Sequence, residues 1–388
     1  MIGFSIAQPF LPFYLQELGT GSVDEVAFWV GVISSFQPIC MAVSAPLWGM
    51  LSDRVGRKPM LVRAMIGGSI ALALSAMATT PQQLAVFRII EGILAGTVAA
   101  ATTLVAVTTP REHTGYALGL LQTAMFSGNF LGPLIGGIIG STLGYRTAFL
   151  TASLLLGATG LIVALVVKEN FVPPPVRKRK GAPPFATLRG MRQNQILTTM
   201  VMLLMLNSMS VMVTLPVLPL YVQTLVADPN QAAAVTGAIL GVTALSNAVA
   251  SIYLGRSADR LGRRRVLLAS LILGAVSYLP QGLTRYPWQL LALRVLTGFA
   301  MGGIAPVSNA VIAESAPEGG QGSIYGISAS LTAVGRAMGP VLGAMIVTSW
   351  SLAAVFPVTG IMLLMVAAVV AQRTRSLEGP TARPQDAL

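Results

Sequence analysis

Long apolar stretches separated by short polar ones follow one another along almost the whole chain. Each stretch approaches the roughly 20 residues that an α-helix needs to cross about 30 Å of hydrocarbon. Stretches such as LIVALVV and MLLMVAAVV do not alternate in polarity, as the strands of a membrane barrel would. The pattern therefore predicts an all-α membrane protein with twelve spanning helices. Their expected positions are 1–18, 27–48, 60–79, 82–107, 115–139, 146–167, 196–222, 231–254, 266–282, 287–312, 322–347 and 351–372.

The basic residues between these helices predict the orientation of the chain. Of the 25 Lys and Arg residues, 20 lie in or next to the loops and tail on the side of both termini, two in or next to the opposite loops and three deep inside helices. Basic residues are retained on the cytoplasmic side of a membrane. We therefore expect both termini to be cytoplasmic, in a bacterial-type inner membrane. The net charge of +12 then reflects topology and contact with anionic lipids rather than nucleic-acid binding.

Composition agrees with a membrane protein, because 54% of the residues are hydrophobic and only 10% are charged, against roughly 25% charged in soluble domains. The first predicted helix reaches only about 27 Å. We therefore expect the natural chain to begin a few residues before Met1, and the start does not resemble a cleaved signal peptide.

Catalytic and metal-binding patterns are not found in the sequence. Cys40 and His113 are the only cysteine and histidine, so neither a disulfide nor a metal site is expected. The chain has no phosphate-binding GxxxxGK loop. We expect no enzymatic activity, no cofactor and no direct use of ATP.

The sequence contains an internal repeat. GMLSDRVGRK at 49–58 returns as GRSADRLGRRR at 255–265, 206 positions later, and PQQLAVFRIIEGILAG returns as PWQLLALRVLTGFAMG at the same shift. At a shift of 207, Gly132-Pro133 matches Gly339-Pro340. The repeat predicts an N-terminal six-helix bundle at 1–167 and a C-terminal bundle at 195–372, the pattern of transporters built from parallel repeats.

Two segments are expected outside the bundles. Residues 168–194 are rich in Pro and basic residues, which favours an extended cytoplasmic linker with a short amphipathic helix near 185–192 on the membrane surface. Residues 373–388 are expected to form a cytoplasmic tail.

Two motifs resemble a known family. GMLSDRVGRK is similar to the signature between helices 2 and 3 of the major facilitator superfamily. The helix 5 pattern is similar to the motif of its twelve-helix drug:proton antiporters; it consists of Gly128, Gly132, Pro133, Gly136 and Gly137. The resemblance implies two pseudo-symmetric six-helix bundles and export of small amphiphilic or drug-like molecules in exchange for protons, by alternating access. The alternative for helix 5 is a seam of small residues for packing.

The repeated charged motif predicts an inner gate. Gly49 and Gly56 are expected to supply positive φ in a tight inner loop of about a dozen residues. By the resemblance, Asp53 would meet the N-terminal end of helix 11 near Gly322 when the inner side is closed. The remaining gate candidates are Arg54, Arg57 and Lys58 in the first copy and Asp259, Arg260, Arg263 and Glu314 in the second.

The two copies of the gate differ. Glu314 is placed to pair with Arg263, whereas its counterpart in the first copy is Val107, where the family has an acid. The alternative to a gate is that these charges only fix topology.

Charges at membrane depth are costly and therefore suggest function. Of the 13 acidic residues, only Glu91 is expected near the midplane, with Arg88 one turn away at i and i+3. Burial favours the protonated carboxyl, whereas the neighbouring guanidinium favours the carboxylate. Glu91 is therefore a candidate proton carrier, and the alternative is an internal salt bridge.

Other polar residues at membrane depth outline a central cavity. Arg294 matches Arg88, but Thr297 stands where the acid would be. With Arg336 included, three arginines and one glutamate give a net charge of +2 at membrane depth, which argues against strongly cationic substrates. The candidate lining residues are Gln8, Tyr14, Gln37, Gln122, Asn129, Asn207, Asn247, Arg294, Asn309 and Arg336. For each one alone, helix packing or interhelical hydrogen bonding is the alternative.

Three classes of function stay open at this point. The first is a proton-coupled exporter, acting as a monomer on a small-molecule substrate among membrane lipids. The second is a proton symporter or facilitator for a small metabolite or lipid-like substrate. The third is a membrane receptor or scaffold, which the paired gate motifs and deep charges argue against.

Overall fold

The computed structural model describes residues 2–110, 113–169, 194–315 and 321–374, and all regular secondary structure there is helical. Three short 3-10 helices accompany the α-helices of this part of the chain, at Gln8–Phe10, Pro229–Gln231 and Leu279–Leu283. In chain order the α-helices are α1 (Ile2–Ala7), α2 (Leu11–Glu17), α3 (Val23–Val55), α4 (Arg57–Ala76), α5 (Pro81–Leu94), α6 (Thr97–Thr108), α7 (Thr114–Leu143), α8 (Tyr145–Val166), α9 (Gln195–Thr214), α10 (Leu218–Leu225), α11 (Ala232–Leu261), α12 (Arg263–Tyr278), α13 (Pro287–Gly302), α14 (Ile304–Ser315), α15 (Gln321–Ser349) and α16 (Val355–Arg373).

Eleven segments of the described chain are long and apolar enough to cross a membrane, by length and composition. They are Val23–Ser52, Arg57–Ala76, Pro81–Val105, Tyr116–Leu143, Tyr145–Val166, Gln195–Leu225, Pro229–Leu261, Arg263–Leu283, Pro287–Ser315, Ile324–Ser349 and Val355–Arg373. The first predicted span, 1–18, is not among them. It consists of α1, a 3-10 turn and α2, with Pro9 and Pro12 at the junctions.

The prediction of an inner loop of about a dozen residues between the second and third spans is wrong. α3 continues to Val55 and α4 begins at Arg57, so only Gly56 separates the two helices. Gly56 has the positive φ of 105° that was expected, and its repeat mate Gly262 has a φ of 92°. Gly49 was expected to need the same freedom, and this is also wrong. Gly49 lies inside α3. The helical hydrogen bonds of α3 continue past it, and the last of them joins Gly56 N to Ser52 O.

The fourth span is interrupted. α5 ends at Leu94 and α6 begins at Thr97, around Gly96 with a φ of 126°. Two side chains bind the carbonyls that the break exposes. Trp48 Nε1 donates to Ile93 O at 2.7 Å, and Arg63 Nη2 donates to Ala95 O at 3.2 Å.

The described residues belong to two compact units. Unit 1 comprises 1–179, 215–241 and 340–352, and unit 2 comprises 180–214, 242–339 and 353–388. The sequence repeat divides the chain differently, into 1–167 and 195–372, and that division stays a prediction. Most of the predicted linker, at 170–193, and most of the predicted tail, at 375–388, lie outside the described residues.

Small residues set the helix packing inside each unit. In unit 1, Ser69 and Ser153 join α4 to α8, because each hydroxyl donates to the other residue's carbonyl at 2.8 Å. In unit 2, Gly360 of α16 brings that helix close to Ala275 and Leu279 at the end of α12. Such close approaches compensate for the weak hydrophobic drive between helices in lipid.

Candidate functional site

The buried ion pair of unit 1 lies on α5. Thr80 begins this helix by accepting a hydrogen bond from Gln83 N at 3.3 Å, and Pro81 occupies its first position. Arg88 and Glu91 then lie one turn apart, as the spacing predicted. Arg88 Nη1 is 2.5 Å from Glu91 Oε2, and the two residues are 3% and 1% exposed. Both charges are therefore removed from water and neutralise each other.

Two further groups surround the pair. The guanidinium of Arg88 lies 5.8 Å from the centre of the Phe149 ring on α8, within range of a cation–π interaction. Gln37 of α3 lies close to Glu91. The close approach of α3 depends on Gly92, since a Cβ there would collide with the Gln37 carbonyl. Glu91 thus has an arginine and an amide as polar neighbours.

The second repeat keeps the arginine without the acid. In unit 2, Arg294 is 5% exposed and its guanidinium lies 5.5 Å from the ring centres of Tyr278 and Phe356. Phe356 is the repeat mate of Phe149, at a shift of 207, so both copies place an aromatic ring beside this arginine.

A neutral network takes the place of the acid. Thr297 stands at the position of Glu91, and its hydroxyl lies 2.9 Å from Ser277 Oγ and 2.8 Å from Gln281 Nε2. Arg294 has no ion pair among the described residues, and its Nε and Nη2 lack hydrogen-bond partners there. At this pair of matching positions, a buried carboxyl is therefore found in the first repeat alone.

The first copy of the gate motif contains a cap that the sequence analysis missed. The carboxylate of Glu169 accepts hydrogen bonds from Arg57 N at 2.9 Å and Lys58 N at 2.7 Å. It thereby neutralises the positive end of α4. Its sequence signal is the acid directly after the sixth apolar stretch, in VVKEN. Arg54 is exposed, and the side chain of Asp53 lies outside the described residues.

The second copy of the gate motif has the ion pair that the sequence suggested. Arg263 binds both carboxylate oxygens of Glu314, with Nη2 at 2.6 Å from Oε1. Asp259 lies 3.9 Å from Arg263, one turn earlier, and Arg260 is exposed. The pair ties the start of α12 to the end of α14 inside unit 2.

The glycines of α7 lie against two other helices of unit 1. A Cβ on Gly132 would collide with Ser5, and one on Gly136 with the Ile6 carbonyl, so α1 rests on these positions. A Cβ on Gly137 would lie 2.6 Å from Ala233 O, at the start of α11. Gly128 is buried, and α7 continues through Pro133 as a single helix.

A glutamine pair joins the ends of α2 and α10. Gln16 Nε2 donates to Gln223 Oε1 at 3.1 Å, and Gln223 Nε2 is 3.3 Å from Gln16 Oε1. The two residues are repeat mates, since LPFYLQEL at 11–18 matches LPLYVQTL at 218–225. Neither this match nor the contact between Gln16 and Gln223 was predicted from the sequence.

The candidate cavity residues fall into three groups. Tyr14 is fully buried, and its hydroxyl lies 3.0 Å from Ser75 O and 3.1 Å from Ala76 O. It therefore hydrogen-bonds the carbonyls at the C-terminal end of α4. Three others contact neighbouring helices: Gln37 as described, Asn129 Oδ1 by accepting from Ser5 Oγ at 3.1 Å, and Asn247 Nδ2 by donating to Gly298 O at 3.3 Å.

The remaining candidates are less constrained. Four have exposed side chains, and these are Gln8, Gln122, Asn309 and Arg336. Asn207 is half-buried, and its Oδ1 lacks a hydrogen-bond partner among the described residues. Within each unit, the exposed members are the ones free to meet a ligand.

A sequence model of the Major Facilitator Superfamily matches residues 1–227 and 200–387. The chain belongs to the Major Facilitator Superfamily. Relatives of this superfamily member include the multidrug resistance protein MdtG of Salmonella typhimurium and of Salmonella dublin. Each is 31% identical over 356 residues, which cover 92% of this chain and 88% of the relative.

Solved structures agree on the fold. A bacterial homologue of the human lysosomal transporter Spinster, in an inward-facing and unoccupied conformation, has a TM-score of 0.78 at 14% identity, over 97% of this chain and 95% of that one. The human organic anion transporter MFSD10 has a TM-score of 0.65 at 20% identity, over 95% of both chains. The protein is thus a multi-pass transporter of the inner membrane and not an enzyme.

Proposed function

We propose that this superfamily member exports small amphiphilic or drug-like molecules in exchange for protons, by alternating access. The observation that carries the proposal is the buried Glu91, paired with Arg88 and contacted by Gln37, in one repeat only. A carboxyl at this depth changes its charge only by exchanging a proton, and a conformational change that separates it from Arg88 would promote protonation. The similarity to the multidrug resistance protein MdtG supports drug-like substrates and export as the direction of transport.

The same proposal includes the topology. We infer twelve spans, with the segment Ile2–Glu17 as the first, and both termini in the cytoplasm. The supporting observation is the distribution of basic residues, 20 of 25 on one side of the membrane. The two six-helix bundles at 1–167 and 195–372 then form the two halves that alternate.

The proposed substrate cavity combines residues of both repeats. We retain Gln8, Gln122, Asn207, Asn309 and Arg336 as lining residues, because their side chains are exposed or have an unused acceptor. We leave out Tyr14, whose hydroxyl is engaged at the end of α4. Substrates of this cavity are expected to be neutral, zwitterionic or anionic amphiphiles.

The proposal includes an inner gate and an outer seal. We assign the inner gate to the charged residues predicted for the two copies of the motif, of which Arg263 and Glu314 form an ion pair: Asp53, Arg54, Arg57 and Lys58 in the first copy and Asp259, Arg260, Arg263 and Glu314 in the second. The α7 glycines and the pair of Gln16 and Gln223 form the outer seal. Separation of one set of contacts while the other forms would give alternating access.

Coupled transport in proteoliposomes tests the proposal. The purified protein is reconstituted with a pH-sensitive dye inside, and lipophilic compounds are screened for uptake or release driven by an imposed proton gradient. Glu91→Gln is expected to abolish gradient-driven flux of any compound that the wild type moves. Asp24→Asn, an exposed acid at the start of α3, is the matched control and should transport normally.

A facilitator is the second candidate. It gains support if flux in the wild type is the same with and without the gradient and is unchanged in Glu91→Gln. In that case Glu91 serves only as the structural partner of Arg88, and the proton-antiport proposal is overturned.

A further inference from the structure

A groove lies between α9 and α16, inside unit 2. Its volume is about 350 Å³, at the small end of the range of roughly 300–1,000 Å³ that ligand pockets occupy. Apolar side chains line it almost throughout, among them Met202 and Leu206 of α9 and Met362, Met365 and Val369 of α16. Methionines adapt to flexible apolar ligands. The lining therefore fits a hydrocarbon chain.

Positive charge lies at one end of the groove. The two polar side chains in its lining are Thr199 and Arg373. The Thr199 hydroxyl donates to Gln195 O at 2.7 Å, inside its own helix. Arg373 is exposed and is the last residue of α16. Arg264 adds a second guanidinium at this end, where it donates to Ala371 O at 2.8 Å.

The length of the groove matches one leaflet. From Met362 to Arg373 the groove follows twelve residues of α16, and the eleven steps between them rise about 16 Å at 1.5 Å each. One leaflet contributes about half of the roughly 30 Å hydrocarbon core. An apolar ligand whose charged end lies at Arg373 would therefore end near the middle of the bilayer.

The volume limits what fills the groove. A helix about 10 Å wide is broader than a groove of about 350 Å³ between two neighbouring helices, so a helix of a second copy would lie over its mouth and leave the interior unfilled. A single acyl chain fits inside the groove. The arginine at the end then selects for a negatively charged headgroup.

We propose that this groove binds one acyl chain of an anionic phospholipid of the cytoplasmic leaflet, with the lipid phosphate on Arg373. The assignment of the leaflet rests on the orientation proposed above, in which α16 ends in the cytoplasm. The lipid is a bound structural ligand of unit 2 and is distinct from the exported substrate.

Photo-crosslinking in lipid nanodiscs tests this inference. The probes are phosphatidylglycerol and phosphatidylcholine that carry the same diazirine-labelled acyl chain, and labelled peptides are mapped by mass spectrometry. Phosphatidylglycerol is expected to label the segments 199–206 and 362–373 about fivefold more than phosphatidylcholine does, the effect of one basic residue at a membrane surface. Arg373→Gln should remove this preference, whereas Arg285→Gln, an exposed arginine outside the groove, should keep it.

A second variant tests the groove itself. Met365 is 59% exposed and lines the groove, so Met365→Trp should fold normally, fill the space and abolish labelling of both segments. Ile361, 51% exposed on the same helix but outside the lining, gives the control Ile361→Trp, which should label like the wild type.

Three results would overturn the inference. The first is equal labelling by the two lipids. The second is unchanged labelling in Met365→Trp, because the lipid would then lie on the surface and not in the groove. The third is displacement of the probe by an excess of a transported compound, which would identify a substrate site. The readout is lipid labelling, so loss of coupled transport in the experiment above would leave this test unaffected.

Discussion

At the scale of single residues, the ion pair of α5 decides how the function is interpreted. Arg88 and Glu91 are almost completely buried, and removing one member of such a pair leaves an uncompensated charge. Replacing both with well-packed apolar side chains of similar volume is often neutral or stabilising. Stability and coupling therefore respond differently to single and double substitutions.

We predict that Arg88→Met costs about 3–5 kcal/mol of stability, because it leaves Glu91 buried and unpaired, and that the double variant Arg88→Met/Glu91→Leu regains most of this loss. Thermal unfolding of the protein in nanodiscs measures both effects. If Glu91 carries protons, the double variant folds but shows no gradient-driven flux.

Restored coupled transport in the double variant would contradict the proton-carrier role. It would mean that only the balance of charge matters at this position. Arg285→Gln serves as the control for loss of an arginine, because Arg285 is exposed.

Sequence spacing predicted the residue contacts that lie within a helix or that the repeat brings together. The i, i+3 spacing of Arg88 and Glu91 and the positions of Arg263 and Glu314 at helix ends are visible in the chain. The cap by Glu169 could not be predicted, because it joins residues 111 or 112 positions apart. Such contacts depend on how helices pack, which local spacing does not encode.

At the scale of helices, the glycines of the candidate antiporter motif let α7 pack closely against α1. Gly136 lies against the Ile6 carbonyl, which leaves no room for a side chain. Gly119 of the same helix has open space around its missing Cβ. The two glycines therefore form a matched pair for substitution.

We predict that Gly136→Ala destabilises the protein by about 1–3 kcal/mol, since α1 must move away from α7, and lowers transport. Gly119→Ala should be neutral or stabilising by up to about 1 kcal/mol, because alanine favours a helix. Thermal unfolding and transport assays on both variants measure the effects. Equal behaviour of the two variants would remove the role proposed for close packing at Gly136.

Long apolar stretches located eleven of the twelve predicted spans, and the ends of the predicted spans differ from those in the structure by several residues. The largest error was at the second and third spans, where the charged residues between Gly49 and Gly56 continue the helix instead of forming a loop. Polarity predicts where a helix leaves the hydrocarbon, but backbone hydrogen bonding decides where it ends. The break at Gly96 was missed because apolar residues continue on both sides of it.

At the scale of the whole molecule, the two repeats share a framework and differ in their chemistry. Both place an arginine beside an aromatic ring, but only the first adds an acid. The internal match at shifts of 206 and 207 made this framework predictable from the sequence. The compact units were not predictable, because residues 215–241 and 340–352 of the second half associate with the first.

We predict that a covalent link between positions 16 and 223 stops transport, because the proposed outer seal would then stay closed throughout the cycle. The variant is Gln16→Cys/Gln223→Cys in a Cys40→Ser background, joined by a short reducible bis-thiosulfonate reagent. Flux should fall to background after linking and return after reduction.

Each single cysteine variant, treated with the same reagent, provides the control. Full transport by the linked protein would contradict the seal, since the two ends would then stay together throughout the cycle.

The glutamine pair also bears on how such a chain evolves. Gln16 and Gln223 hold equivalent positions and bind each other reciprocally, as residues do where the two-fold axis of a homodimer passes through an isologous interface. In a homodimeric ancestor a residue on that axis faces its own copy, so one mutation alters both sides of the contact. Once two copies are fused in one chain, a mutation at Glu91 changes one half alone. Functional asymmetry could therefore arise at Glu91 without loss of the shared contact at the axis.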